Sequence, residues 1–95
     1  MHAVVTRVTV DGSHEADARK LLQKIVVPQA KGLTGFKGGN WLRGIDGSSE
    51  GTGILLFDSE DNARAAADQI RSEGPPPGAP VTMESVTAYE VLVHA

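Results

Sequence analysis

Thr52-Gly53-Ile54-Leu55-Leu56-Phe57-Asp58-Ser59-Glu60 is the stretch that decides the fold. Thr52 to Phe57 is the most apolar run of the chain and has the length of a buried strand. Asp58 or Ser59 then offers a side-chain oxygen to cap a helix, and Ala63, Ala66, Ala67 and Ile70 follow at helical spacing. That helical face is small, so the helix can lie close on a sheet. Gly74-Pro75-Pro76-Pro77-Gly78 stops it.

Outward from this unit the same signals repeat. Upstream, Asp46-Gly47 predicts a hairpin within a Gly/Ser-rich loop that runs to Glu50, and the glycines of 44–53 read as hairpin glycines. Phe36 to Arg43 predicts the partner strand, with Gly38 and Gly39 suggesting a bulge or a close backbone approach. His2 to Val10 is dense in Val and Thr, predicts the first strand, and stops at Asp11-Gly12. Ser13 is placed to cap a helix with Glu15 and Asp17 in its first turn and Ala18, Leu21, Leu22 and Ile25 on one stripe. Pro28 predicts an end or kink near Val26, with a short further turn closed by Gly32. A last strand is predicted from Val81 to Val93.

The order βαββαβ is that of an α+β, ferredoxin-like sandwich: a four-stranded antiparallel sheet with both helices on one face and the first and third strands at its centre. Length argues for a single domain over residues 1–95. Both central strands are apolar on both sides. Val4, Val8 and Val10 oppose Ala3 and Val5, while Ile54 and Leu56 oppose Leu55 and Phe57. Two helices cannot cover two faces, so a second copy is expected on the bare one, as a two-fold homodimer. Leu55→Arg is expected to disturb that interface if the residue lies in it.

Composition excludes several classes. A net charge of −3 with four aromatic residues argues against nucleic acid as a partner. The apolar runs are too short to cross a bilayer, so no membrane partner is expected. The absence of cysteine removes disulfides, thiolate metal sites and cysteine nucleophiles. The N-terminal residues lack a basic region followed by a long apolar core, from which a cytoplasmic location is expected.

Four stretches carry a resemblance: Ile25-Val26-Val27-Pro28-Gln29-Ala30-Lys31-Gly32-Leu33-Thr34-Gly35-Phe36, Gly39-Asn40-Trp41-Leu42, Leu56-Phe57-Asp58-Ser59-Glu60-Asp61-Asn62-Ala63-Arg64, and Tyr89-Glu90-Val91-Leu92-Val93. Together they resemble the dimeric α/β-barrel superfamily, in particular the small antibiotic-biosynthesis-monooxygenase-like proteins. The resemblance implies a homodimer whose sheets face each other around a barrel, with a pocket between each sheet and its helices for a small organic molecule. Members include cofactor-independent oxygenases of polyketide quinols, haem-degrading enzymes and isomerases.

Asn40, Trp41, Tyr89 and Arg7 are the candidate ligand-binding residues. The resemblance implies an Asn, a Trp and a Tyr in the pocket of the monooxygenases, where such groups orient an acidic phenol and stabilise its anion. Asn40 and Trp41 are adjacent, so in a regular strand they point to opposite faces unless a bulge at Gly38-Gly39 intervenes. Tyr89 can donate its phenol to a ligand or pack at an interface. Arg7, a charge within a central strand, either binds a carboxylate or phenolate or pairs with Glu84 or Glu90 of the neighbouring strand.

His2 and His94 approach at the ends of neighbouring strands, but two ligands do not make a site, so no metal is expected; nor is any cofactor. The first strand lacks the Asn of haem-degrading relatives, and no helix-borne His follows the third strand. Two functions are left. One is a homodimeric protein that binds a small, hydrophobic ligand or acts as an accessory protein. The other is a cofactor-independent monooxygenase or isomerase acting on a hydrophobic aromatic, polyketide-like substrate.

Overall fold

The computed structural model describes residues 1–10, 15–46, 49–75, 79 and 81–95, with side chains at all of these except 15, 16 and 18. The expected turn at Asp11-Gly12, the Ser13 cap, His14, Gly47 and most of the proline run at 76–78 lie outside the described residues.

Four strands, β1 (His2–Val10), β2 (Phe36–Arg43), β3 (Glu50–Phe57) and β4 (Val81–Glu90), form one antiparallel sheet in the order β2-β3-β1-β4. The central pair is therefore β1 and β3, as the crossover rule demands. β4 ends at Glu90, three residues earlier than the sequence predicts. Beyond it Val91 still donates its N–H to Met1 O, but Leu92 and Val93 have no strand to pair with and stand exposed.

On one side lies α3 (Glu60–Glu73). Ser59 caps it by accepting from the Asn62 backbone N–H at 3.2 Å, and Glu60 and Asp61 occupy its first turn. Ala63, Ala66 and Ala67 are buried, so the helix axis sits close over Val4, Leu55, Phe57 and Val86. Arg71 clasps it to β4, donating from Nε (3.1 Å) and Nη2 (2.9 Å) to the Val86 carbonyl.

The other helical wall is α1 (Glu15–Leu21), a π-helical segment (Leu22–Val26) and α2 (Val27–Lys31), in one continuous run. The expected break near Val26 does not occur. Val27 keeps helical geometry (φ −63°, ψ −48°) and donates its N–H to Leu22 O, five residues back. Pro28 has no N–H and its ring would press on the Lys24 carbonyl in a regular α-helix; the wider π turn accommodates it without ending the helix.

Candidate functional site

The two helical walls pack on the sheet through side chains of different size. Small alanines draw α3 down, whereas the α1–π–α2 wall carries Leu22, Val26 and Val27 and leaves a cleft of about 1030 Å³ between itself and the sheet. Its floor is set by strand register. One row across the sheet is Trp41, Gly53, Thr6; the next toward the β2–β3 connection is Arg43, Gly51, Val8; and on the other side comes Gly39, Leu55, Val4. Glycine thus occupies the β3 position in two successive rows of this face and the β2 position in a third. The missing side chains leave room for their neighbours: Trp41 over Gly39 and Gly53, and Val8 and Val10 over Gly51.

Gly51 is expected in the hairpin, and Gly53 falls both in that glycine run and in the strand expected from Thr52. They lie inside β3, which begins at Glu50 rather than Thr52. The missed signal was their period of two, which puts both glycines on the face that Leu55 and Phe57 share.

Trp41 lies over this floor. A Cβ built on Gly39 would meet Trp41 Cη2 at 3.2 Å, and one built on Gly53 would meet Trp41 Cδ1 and Nε1 at 3.2 Å each and Thr6 Oγ1 at 2.6 Å. The indole therefore spans from Gly39 to Gly53.

The other three candidates occupy the opposite, helix-free face. A bulge in β2 between Phe36 and Gly38 precedes Asn40 and Trp41, so the two keep strand alternation: Asn40 is aligned with Ile54 and Trp41 with Gly53. Tyr89 is aligned with Ala3 and half-exposed. Asn40 and Tyr89 share a face but sit on the two edge strands, three strand spacings or about 14 Å apart. Arg7 pairs with an acid, as one of its two readings required, but with Glu50 of β3 (Nη1 to Oε1, 3.1 Å) rather than Glu84 or Glu90. Glu84 instead accepts from the Thr9 hydroxyl at 3.0 Å. Of the four, Trp41 and Asn40 border the cleft, Trp41 on the face that carries the helices and Asn40 with the opposite strand parity, while Tyr89 and Arg7 do not border it.

His2 faces α3 at the far end of β1, its Nε2 3.8 Å from Glu60 Oε1, while His94 lies in the tail after β4. Among the described residues there is no group of three His, Cys, Asp or Glu side chains able to hold a metal ion, and no helix is long and apolar enough to cross a membrane.

No family model matches the chain, and no curated protein matches it at the level of sequence. Solved structures do. The heme degrader MhuD of Mycobacterium tuberculosis with two hemes bound in its active site superposes with a TM-score of 0.73 at 18% identity, over 100% of this chain and 99% of that one. An MhuD variant with two manganese protoporphyrins gives 0.78 at 17%, over 100% and 98%. A Deinococcus radiodurans protein described as an antibiotic biosynthesis monooxygenase gives 0.67 at 15%, over 100% and 96%. What they share with this chain is the fold, the ferredoxin-like α+β sandwich. The Streptomyces coelicolor monooxygenase from the gene ActVA-Orf6, in complex with nanaomycin D, gives 0.57 at 14% identity, over 99% and 91%. At these identities the likeness is one of fold.

Proposed function

We propose that this chain is a homodimeric, cytoplasmic protein that binds a small hydrophobic molecule in the cleft between sheet and helices. The observation that carries the reading is the glycine-floored cleft itself, large enough for a ligand of several rings and lined by Trp41, Leu55 and Val8. Apolar contact supplies the affinity, at roughly 25 cal/mol per Å² removed from water.

The second copy belongs on the helix-free face. Ala3, Val5, Ile54 and Leu56 make an apolar centre there, flanked by half-exposed Leu42 and Tyr89. Such a face is covered most economically by itself across a two-fold axis, with Arg7 and Glu50 kept at its far end. Asn40, Tyr89 and Arg7 then act at the barrel interior between the two sheets.

A second reading, a cofactor-independent monooxygenase of an aromatic, polyketide-like substrate, is favoured by the company of the fold: the Streptomyces coelicolor neighbour is a monooxygenase in complex with nanaomycin D. The heme of MhuD does not transfer on the residues present. No described His or Tyr lines the cleft, and His2 points to α3 at the other end of β1. Oxygen uptake with a panel of anthrone-like and quinol substrates separates the two readings. Turnover that falls on Trp41→Phe supports the oxygenase; binding of panel members without uptake leaves a binding protein, and absence of both overturns the cleft as the functional site.

A further inference from the structure

Charge is unevenly spread along this chain. Arg19, Lys20, Lys24, Lys31, Lys37 and Arg43 are six of its nine cations, and no acid falls between residues 18 and 45; all twelve acids lie elsewhere. The segment that builds the α1–π–α2 wall and β2 is therefore positive within a chain of net charge −3. Two of these cations, Arg19 and Arg43, border the cleft.

Both belong to one end of it. Arg43 shares strand parity with Trp41 and stands in the row Arg43, Gly51, Val8, toward the β2–β3 connection. Thr9 is aligned with Glu50, so β1 finishes at that end too, and α1, with Arg19, is the next element of the chain. The two residues line the cleft yet are exposed, so their stems run along its wall and their guanidinium heads meet water at the mouth. Arg19 makes no hydrogen bond or ion pair among the described residues; Arg43 has a contact of its own, and five donors let a guanidinium hold a protein group and a ligand together. The rest of the lining is largely aliphatic, with Leu22, Val26, Leu55, Ile70 and Met83 around a single aromatic side chain, Trp41. An apolar trough with cations at one end complements a chain that ends in an anion. We infer that the cleft takes an aliphatic carboxylic acid, its chain along Leu55 and Trp41 and its carboxylate at the Arg19 and Arg43 mouth.

This rests on the cleft-binding reading and narrows it to a chemical class. Glu73 borders the same cleft from α3, where Gln69 donates to it at 3.2 Å, so the carboxylate is kept to the side of α1 and β2. From Gly39 to Arg43 the floor runs four strand steps, about 13 Å, which suits an extended alkyl chain of medium length.

Dodecanoate and dodecylammonium share one chain and carry opposite head charges at neutral pH. Each is titrated into the full chain below its micellar concentration, with the fluorescence of Trp41, the sole tryptophan, reporting occupancy of the cleft. Dodecanoate should bind about tenfold more tightly at low salt, and the gap should close at high salt because exposed guanidinium groups are screened. Arg19→Gln and Arg43→Gln should each weaken dodecanoate several-fold without weakening dodecylammonium, and Glu73→Gln should strengthen dodecanoate. Equal affinity for the two heads, or a preference for dodecylammonium, overturns the anion site, while a Trp41 response to both leaves the cleft reading intact. No Trp41 response to either probe overturns both. The wild-type comparison decides even where a variant fails to fold.

Discussion

Gly35 has φ +79°, and a Cβ there would come within 2.3 Å of Asp58 Oδ1 and 2.5 Å of Asn62 Nδ2, two groups joined to each other by a 2.8 Å hydrogen bond. Its carbonyl also accepts from the Asp58 N–H at 3.0 Å, tying the entry of β2 to the β3–α3 junction. Gly35→Ala therefore meets both backbone strain and overlap. It is expected to lose about 2–3 kcal/mol of unfolding free energy, visible as a fall in Tm of roughly 10 °C or more. At Ser59, loss of the cap in Ser59→Ala should cost about 1 kcal/mol, and Ser59→Asp should restore most of it in the same urea titration. The capping role could be read directly from Ser59 and the helix behind it. The demand for glycine at 35 could not, because its reason is two side chains 23 and 27 positions away.

Between elements, the contrast of α3 with the other helical wall makes the cleft. Alanine at 63, 66 and 67 lets α3 sink onto the sheet, and the Arg71 clasp on the Val86 carbonyl holds it there. Arg71→Met keeps the apolar stem and removes the two donated bonds; a loss of about 1–2 kcal/mol is expected in a denaturant melt. In the opposite wall, Pro28→Ala restores a backbone donor within a helix. That variant should gain about 1 kcal/mol or more, and the backbone N–H it introduces should be slow to exchange with solvent. Sequence rules located Pro28 as a disturbance but predicted an end or kink; a π turn is the third way a chain can absorb a proline, and it needs neighbouring packing to be chosen.

At the level of the whole molecule, the two faces of the sheet make different predictions for adjacent residues. Ile54 looks onto the helix-free face, and Ile54→Arg should convert a particle of twice the monomer mass, measured by light scattering after gel filtration, into monomer or aggregate. Leu55 is 4% exposed and packs under the helices, so Leu55→Arg should instead unfold the chain and abolish its far-UV circular dichroism. The expectation that Leu55 bears on the interface is thereby corrected: strand parity fixes that 54 and 55 face apart, and only the position of the helices says which is inside. A monodisperse wild-type monomer would remove the dimer from the proposal.

The sequence by itself determined the element order, the central position of β1 and β3, the bounds of β1 and β2, and the Ser59 cap, because each follows from side-chain periodicity or from hydrogen bonds a few residues apart. That Asn40 and Trp41 face apart waited on the register, because a bulge at Gly38-Gly39 was left open by the sequence and the observed shift falls before Gly38. The tertiary structure decided which of them lies on the helix side of the sheet, that Arg7 pairs with Glu50, and that Gly51 is a strand residue beside Gly53 rather than part of the hairpin turn. Those facts depend on register across strands and on which face of the sheet the helices cover. Register joins residues far apart in sequence, and helix packing is the sum of many side-chain contacts, so neither is carried by any local stretch of the chain.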